Sequence, residues 1–253
     1  MLHYTISGKG KETLVLLHGF LESSNIWQDF LPYLEEHFTL ICIDLPGHGK
    51  SPCIAETQTM ELMASAVKET LQSLPLEKFH LLGHSMGGYI SLAYAEIFPE
   101  DLLSLTLFFS TYQADDDDKK ENRRKSFRII KEEFGKYINA GVPLLFSTSE
   151  RNNLQPKIQF TKQIALSTPT EGAIASVKGM IERPDRRNIL NQLSAKIILL
   201  LGKHDAAVPS LQLLQDLPDA DNIKAYLLDC GHQGHLEAPS ICGEILKKEL
   251  LLS

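Results

Sequence analysis

The strongest constraint on the fold of this chain is an alternation along its length. Short runs rich in Leu, Ile, Val and Phe are separated by longer segments in which apolar residues return every three or four positions. That pattern specifies β-α-β units, and hence a mostly parallel sheet covered by helices on both faces. The runs read as strands are residues 2–7, 13–17, 38–43, 79–83, 103–109, 196–201 and 224–228. Between them Ile26, Trp27, Phe30, Leu31 and Leu34 fall at helical spacing, as do Leu62, Met63, Ala66, Val67 and Leu71, and later Ile241, Ile245 and Leu246. A chain of 253 residues is long enough to bury a sizeable core, and an α/β sheet of this length forms one unit.

The alternation breaks once, between Thr111 and Leu190, where helical patterns run on without a convincing strand. Phe127, Ile130, Phe134 and Ile138 make one stripe and Ile174, Val177 and Ile181 another, with Pro143, Pro156, Pro169 and Pro184 marking breaks between helical pieces. The expected organisation is a core in two parts, 1–110 and 191–253, with a helical cap, 111–190, inserted after a central strand. In open α/β sheets ligands bind at the carboxyl ends of the strands, so a cap there forms the roof of a pocket. The cap opens with Asp115 to Asp118, read as a solvated charge run or the acidic first turn of a helix rather than a metal site.

Charge and composition exclude several functions. The net charge of −7 gives a nucleic acid or an anionic membrane surface nothing to hold. No apolar run approaches the length of a membrane span, and the first residues carry no leader pattern, so a cytoplasmic protein beginning near Met1 is expected. Cys42, Cys53, Cys230 and Cys242 are too scattered for a disulfide framework and form no zinc-type pair. The expected partner is a small molecule, with no cofactor and no metal; the sequence leaves monomer and homodimer open.

The chemistry concentrates at Gly83-His84-Ser85-Met86-Gly87, where the apolar run from Phe79 ends and a helical pattern through Tyr89, Ile90, Ala93 and Tyr94 begins. G-x-S-x-G arises by chance in roughly a tenth of chains of this size, so its strand-to-helix setting supplies much of its meaning. A serine hydroxyl attacks poorly unless a base takes its proton, and imidazole suits that task at neutral pH. His232 is the favoured base: it follows Gly231 in the glycine-rich loop after the last strand, whereas His235 begins an apolar stretch. The carboxylate that orients it should stand at another strand end, where Asp205 closes the run from Ile197; Asp229 is the weaker alternative. The backbone N–H groups of Met86, directly after the nucleophile, and of Phe20, at the turn His18-Gly19-Phe20, are the candidate oxyanion donors. His18 reads as a brace rather than a base.

With those residues in place the whole chain resembles the α/β-hydrolase superfamily. The resemblance rests on H-G-F at 18–20, D-L-P-G-H-G-K-S at 44–51, G-H-S-M-G-G at 83–88, G-K-H-D at 202–205 and C-G-H-Q-G-H-L-E-A-P at 230–239. It implies an α/β-hydrolase fold with Ser85 as nucleophile, Asp205 and His232 as its partners, and Asp44 to Ser51 as a structural turn. Serine at position 85 argues against the aspartate-nucleophile dehalogenases and epoxide hydrolases. The segment Gly179 to Arg186 is similar to that of small carboxylesterases and enol-lactonases, and H-G-F with Trp27 to that of the menaquinone-pathway synthase, which typically has arginine where this chain has Tyr89. The implied activity is cleavage of a small to medium carboxylic ester, lactone or thioester through an acyl-enzyme; a lyase or C–C hydrolase using the same triad, and a non-turnover receptor, are the alternatives. A largely apolar pocket is expected, with Trp27, Tyr89, Phe109, Phe146 and Met180 in its wall and Arg123 or Arg124 in reach of a substrate carboxylate.

Overall fold

A computed structural model describes residues 1–251 of the chain. Its centre is a sheet of β1 (Tyr4–Ser7), β2 (Glu12–Leu17), β3 (Phe38–Ile43), β4 (Phe79–His84), β5 (Leu102–Phe108), β6 (Lys196–Gly202) and β7 (Ile223–Leu228). The spatial order is β1-β3-β2-β4-β5-β6-β7, with β1 antiparallel to β3 and every other pair parallel. The near-continuous burial of β2, β4 and β6 marks strands covered on both faces, which is why they read as apolar runs rather than alternating ones. The helices α1 (Met60–Gln72) and α2 (Met86–Ile97) follow β3 and β4. Helices α3 (Asp117–Gly141), α4 (Gln155–Leu166), α5 (Thr170–Glu182) and α6 (Arg187–Gln192) fill the interval between β5 and β6, and α7 (Ser210–Gln215), α8 (Gly234–Glu237) and α9 (Pro239–Leu251) complete the chain.

All seven sequence-derived strands are present, with shifts at their ends. The first begins at Tyr4 rather than residue 2 because the N–H groups of Leu2 and His3 are taken by Thr70 Oγ1 and Ser51 Oγ, at 2.9 Å each, instead of by the ladder. The helical spacing at 26–34 gives two short 3₁₀ turns, Ser24–Trp27 and Leu31–Tyr33, not one helix; Pro32 has no N–H to continue an α ladder. Ile26, Trp27, Phe30 and Leu34 are buried all the same, and Leu31 is half-buried.

Helix α5 seats on the turn at Asp44 to Ser51. Asp44 accepts from the N–H groups of Ser24 at 2.7 Å and Lys50 at 3.0 Å, and the loop turns back through Gly47 and Gly49, both at positive φ. A side chain at Gly49 would strike the Asp44 carboxyl, and one at Gly172 of α5 the Gly47 carbonyl. Gln58 completes the joint: its N–H bonds the Ala175 carbonyl at 3.1 Å, and its amide reaches Pro46 O and Ser176 Oγ.

The acidic run forms the exposed cap and first turn of a helix, as expected, except at Asp115. Asp116 caps α3 by accepting the Lys119 N–H at 2.7 Å, and Asp117 and Asp118 fill the first turn. Asp115 is buried between Arg123 Nε at 2.5 Å and Arg183 Nη2 at 2.8 Å. Spacing alone could not show this, because Arg183 lies far off in sequence at the end of α5. The two guanidinium groups hold the Asp115 carboxyl down at about 2 against the upward push of burial.

Candidate active site

β4 ends in the interior and α2 leaves at once, so the chain must reverse within one residue. Ser85 makes that turn at φ +50, ψ −114, a conformation costly for any residue but glycine. The turn fits because its neighbours lack side chains: a Cβ on Gly83 would meet the Gly87 carbonyl, and one on Gly87 the carbonyls of Leu17 and His18. Ser85 N–H donates to Phe108 O at 3.1 Å and Ser110 Oγ donates to Ser85 O at 2.7 Å, which hold the strained residue in place. Ser85 is half-buried and lines a cavity of about 1080 Å³.

Asp205 and His232 line the same cavity. Asp205, at the exit of β6, accepts the N–H groups of Ala207 and Val208 on Oδ1 at 2.7 and 2.9 Å, and faces His232 Nδ1 through Oδ2 at 2.7 Å. Burial alone would raise the Asp205 pKa, but the His232 ring and the two N–H groups outweigh it and hold the carboxyl below its ordinary value. Burial alone would lower His232, yet the Asp205 charge and hydrogen bond raise it above the ordinary histidine value. With Nδ1 committed, Nε2 is the nitrogen left for chemistry. The two rivals lie elsewhere. His235 is fully buried, its ring 4.9 Å from Trp27 and 4.8 Å from His84, and desolvation drives its pKa well down. Asp229 is exposed and pairs with His204 at 2.7 Å.

The close seat of Gly87 against Leu17 and His18 sets the His18-Gly19-Phe20 turn beside the serine. His18 accepts the Leu45 N–H on Nε2 at 2.9 Å, so its Nδ1–H donates to Gly19 O at 2.8 Å; it is a brace. Among the described residues, neither the Phe20 N–H nor the Met86 N–H donates to a protein acceptor, and Met86 opens α2, where the helix dipole favours negative charge.

Of the expected wall residues, Tyr89 and Met180 line the cavity with Phe20. Trp27, Phe109 and Phe146 do not: all three are buried in the core. Trp27 packs on Phe30, His84, Phe108 and His235, because the 3₁₀ turn that carries it faces the sheet rather than the strand ends. Phe109, at φ +48, lies under the His232 loop, where a Cβ on Gly234 would strike its ring. Phe146 is drawn inward between two hydrogen bonds that tie its own segment to the His232 loop and to α8, His232 N–H to Leu145 O at 2.8 Å and Ser147 N–H to the Glu237 side chain at 3.0 Å. The lining is also less apolar than expected, since the first turns of α3 bring Asp116, Asp118, Lys119, Asn122 and Arg123 to it. Arg123 stands in the wall; Arg124 turns outward to Glu121. Arg183, which the sequence did not single out, lies 4.0 Å over the Tyr89 ring.

Sequence reasoning missed Glu22, Gln233 and the part played by His84, which stand together in the cavity wall. Glu22 follows Leu21 and precedes Ser23, Ser24 and Asn25, so nothing local distinguishes it from a surface carboxylate.

A parallel sheet covered on both sides, with a serine at a strained strand-to-helix turn and a histidine and aspartate at later strand exits, defines a hydrolase-type scaffold. The chain belongs to the alpha/beta hydrolase fold family, whose sequence profile matches residues 12–239. It is 31% identical to a thermophilic esterase from Thermogutta terrifontis, solved with malate bound; the superposition covers 99% of this chain and 93% of that one, with a TM-score of 0.92. It is 27% identical over 98% of its length to a dihydrolipoyllysine-residue acetyltransferase component of the acetoin cleaving system from Cupriavidus necator, and spans 66% of that protein. A 2-hydroxy-6-oxononadienedioate/2-hydroxy-6-oxononatrienedioate hydrolase from Pseudomonas putida is 26% identical over 93% of this chain and 87% of its own length. No helix among the described residues is long and apolar enough to cross a membrane.

Proposed function

We propose that the chain is a serine hydrolase that cleaves a small to medium carboxylic ester, lactone or thioester through an acyl-enzyme. The observation that carries this reading is the 2.7 Å contact between Asp205 Oδ2 and His232 Nδ1, in the wall of the cavity that also holds Ser85. Ser85 Oγ attacks the carbonyl carbon while His232 Nε2 takes its proton, and the oxyanion accepts hydrogen bonds from the N–H groups of Phe20 and Met86. Collapse expels the alcohol or thiol, which receives the proton from His232. Water then attacks the acyl-enzyme, His232 again takes a proton, and the carboxylic acid leaves as Ser85 recovers its hydrogen. Asp205 keeps Nε2 of His232 turned toward the serine and stabilises the imidazolium. Residues 111–190 act as the cap over the cavity, with Tyr89 and Met180 in its wall.

Similarity to the esterase supports ester chemistry. A second reading, C–C bond hydrolysis with the same residues, draws on the Pseudomonas putida relative and on Arg123 in the cavity wall, a cation for an anionic substrate. A series of p-nitrophenyl esters from acetate to decanoate separates the two: turnover by the wild type that disappears in Ser85→Ala supports the ester reading, and the optimal chain length sizes the cavity. No turnover of any ester, with cleavage of a carboxylate-bearing diketone, overturns it in favour of the second.

A further inference from the structure

In the wall of the cavity, next to Ser85 and His232, the fold holds a buried cluster of titratable groups that the hydrolytic cycle does not use. Glu22 is 3% exposed. Its Oε2 accepts the Gly19 N–H at 2.6 Å and faces His84 Nδ1 at 2.9 Å, and its Oε1 accepts from Gln233 Nε2 at 3.0 Å. The remaining ring nitrogen of His84, Nε2, faces the His232 carbonyl at 3.1 Å. One carboxylate therefore reaches the residue before Phe20, the residue before Ser85 and the residue after His232, and through the His84 ring it reaches His232 itself.

Elements far apart in sequence meet here. The Phe20 turn follows β2, the Ser85 turn follows β4 and the His232 loop follows β7, so the sheet alone holds them only through its strand ends. Gly19 must be glycine for the cluster to close, because a Cβ there would lie 2.8 Å from His84 Nδ1 and 2.9 Å from Glu22 Oε2. Burial pushes the Glu22 pKa up, but the His84 ring, with help from His235 and Gln233, outweighs it and holds the carboxyl far below its ordinary value. A buried carboxylate is expensive and apolar residues stabilise a core as well or better, which makes this cluster a poor device for stability alone.

The geometry points to Glu22 as a positioning residue that, with His84, locks the oxyanion loop, the nucleophile turn and the base loop in one register. This inference rests on the serine-hydrolase reading above. Both Glu22 oxygens face protein groups, Gly19, His84 and Gln233, so it acts through them, keeping the Phe20 N–H, Ser85 Oγ and His232 Nε2 aligned as charge develops on the oxyanion.

The test compares wild type, Glu22→Gln and Gln233→Met by the rate constant for Ser85 modification with a fluorophosphonate, and by kcat and KM on p-nitrophenyl esters per labelled site. In Glu22→Gln the modification rate and kcat per labelled site should fall about 10- to 100-fold with KM little changed, the size of effect expected from misaligned reacting groups. Gln233→Met cuts one link, the donor to Glu22 Oε1, and leaves the Gly19 and His84 contacts of Glu22 in place; the two side chains are of similar size, so the variant should fold. It should show a fall of about threefold to tenfold on the same scale, and it decides the question if Glu22→Gln does not fold. A folded Glu22→Gln with wild-type rates per labelled site, or a loss explained wholly by fewer labelled sites or by KM, overturns the positioning role. A wild type that takes up no fluorophosphonate overturns the hydrolase reading instead, so the two failures are distinct.

Discussion

His232 can serve as a base only when its ring is neutral, and Asp205 lifts its pKa above the ordinary histidine value against the pull of burial. Activity should therefore be lost as pH falls: kcat/KM should be flat at alkaline pH and decline about tenfold per unit below a midpoint above 6.5. In Asp205→Asn the raising influence is gone and burial prevails, so the midpoint should move to lower pH while kcat drops about 10³- to 10⁴-fold. A pH–rate profile of both proteins checks the two statements together. At this scale much of the candidate site was legible, because a serine between glycines, a histidine after a glycine at a strand exit and an aspartate at another exit are local signals. Glu22 and Asp115 were not. Each acquires its meaning from partners distant in sequence, His84 and Gln233 for one and Arg183 for the other, and no local pattern joins them.

Helical glycines give the clearest test at the scale of elements, because the same substitution should have opposite signs in two helices of the interval between β5 and β6. Gly135 of α3 has open space around it, so Gly135→Ala should stabilise by up to about 1 kcal/mol through helix propensity. Gly179 of α5 has the Gln58 carbonyl 1.8 Å from where a Cβ would stand. Gly179→Ala should thus forfeit the propensity gain and destabilise by about 1–3 kcal/mol as α5 is forced off its seat. Denaturant unfolding of the two variants decides; equal effects would mean that α5 does not dock as closely as described. The strands were legible because a buried parallel strand is an uninterrupted apolar run. The segment 24–34 misled because apolar spacing reports which side chains turn inward, not which ladder the backbone makes, and Pro32 settles the ladder. Trp27, Phe109 and Phe146 misled for a related reason: a large apolar residue near a site fits its core as well as its wall.

Asp115 joins the segment leaving β5 to α3 through Arg123 and to the end of α5 through Arg183, and so ties the helical interval between β5 and β6 together. Asp115→Ala leaves Arg183 buried beside no anion and should cost about 3–5 kcal/mol. Because the Asp115 pKa is depressed to about 2, its contribution is present above the ordinary carboxylate value of 3.8 and is lost as pH falls from there toward 2. Thermal unfolding of wild type and variant should therefore differ at neutral pH and converge near pH 2. The layered architecture was visible in the sequence through its alternation, and the helical interval through the break in it. The way that interval seats on the core was not, because it depends on backbone-to-backbone approaches such as Gly47 to Gly172. Fold, elements and residues converge on Ser85 as the proposed nucleophile. Intact mass after treatment with an activated fluorophosphonate tests it most directly: one phosphonyl adduct on the wild type and none on Ser85→Ala is the expected result. An unmodified wild type, or a Ser85→Ala protein modified to the same extent, would contradict it.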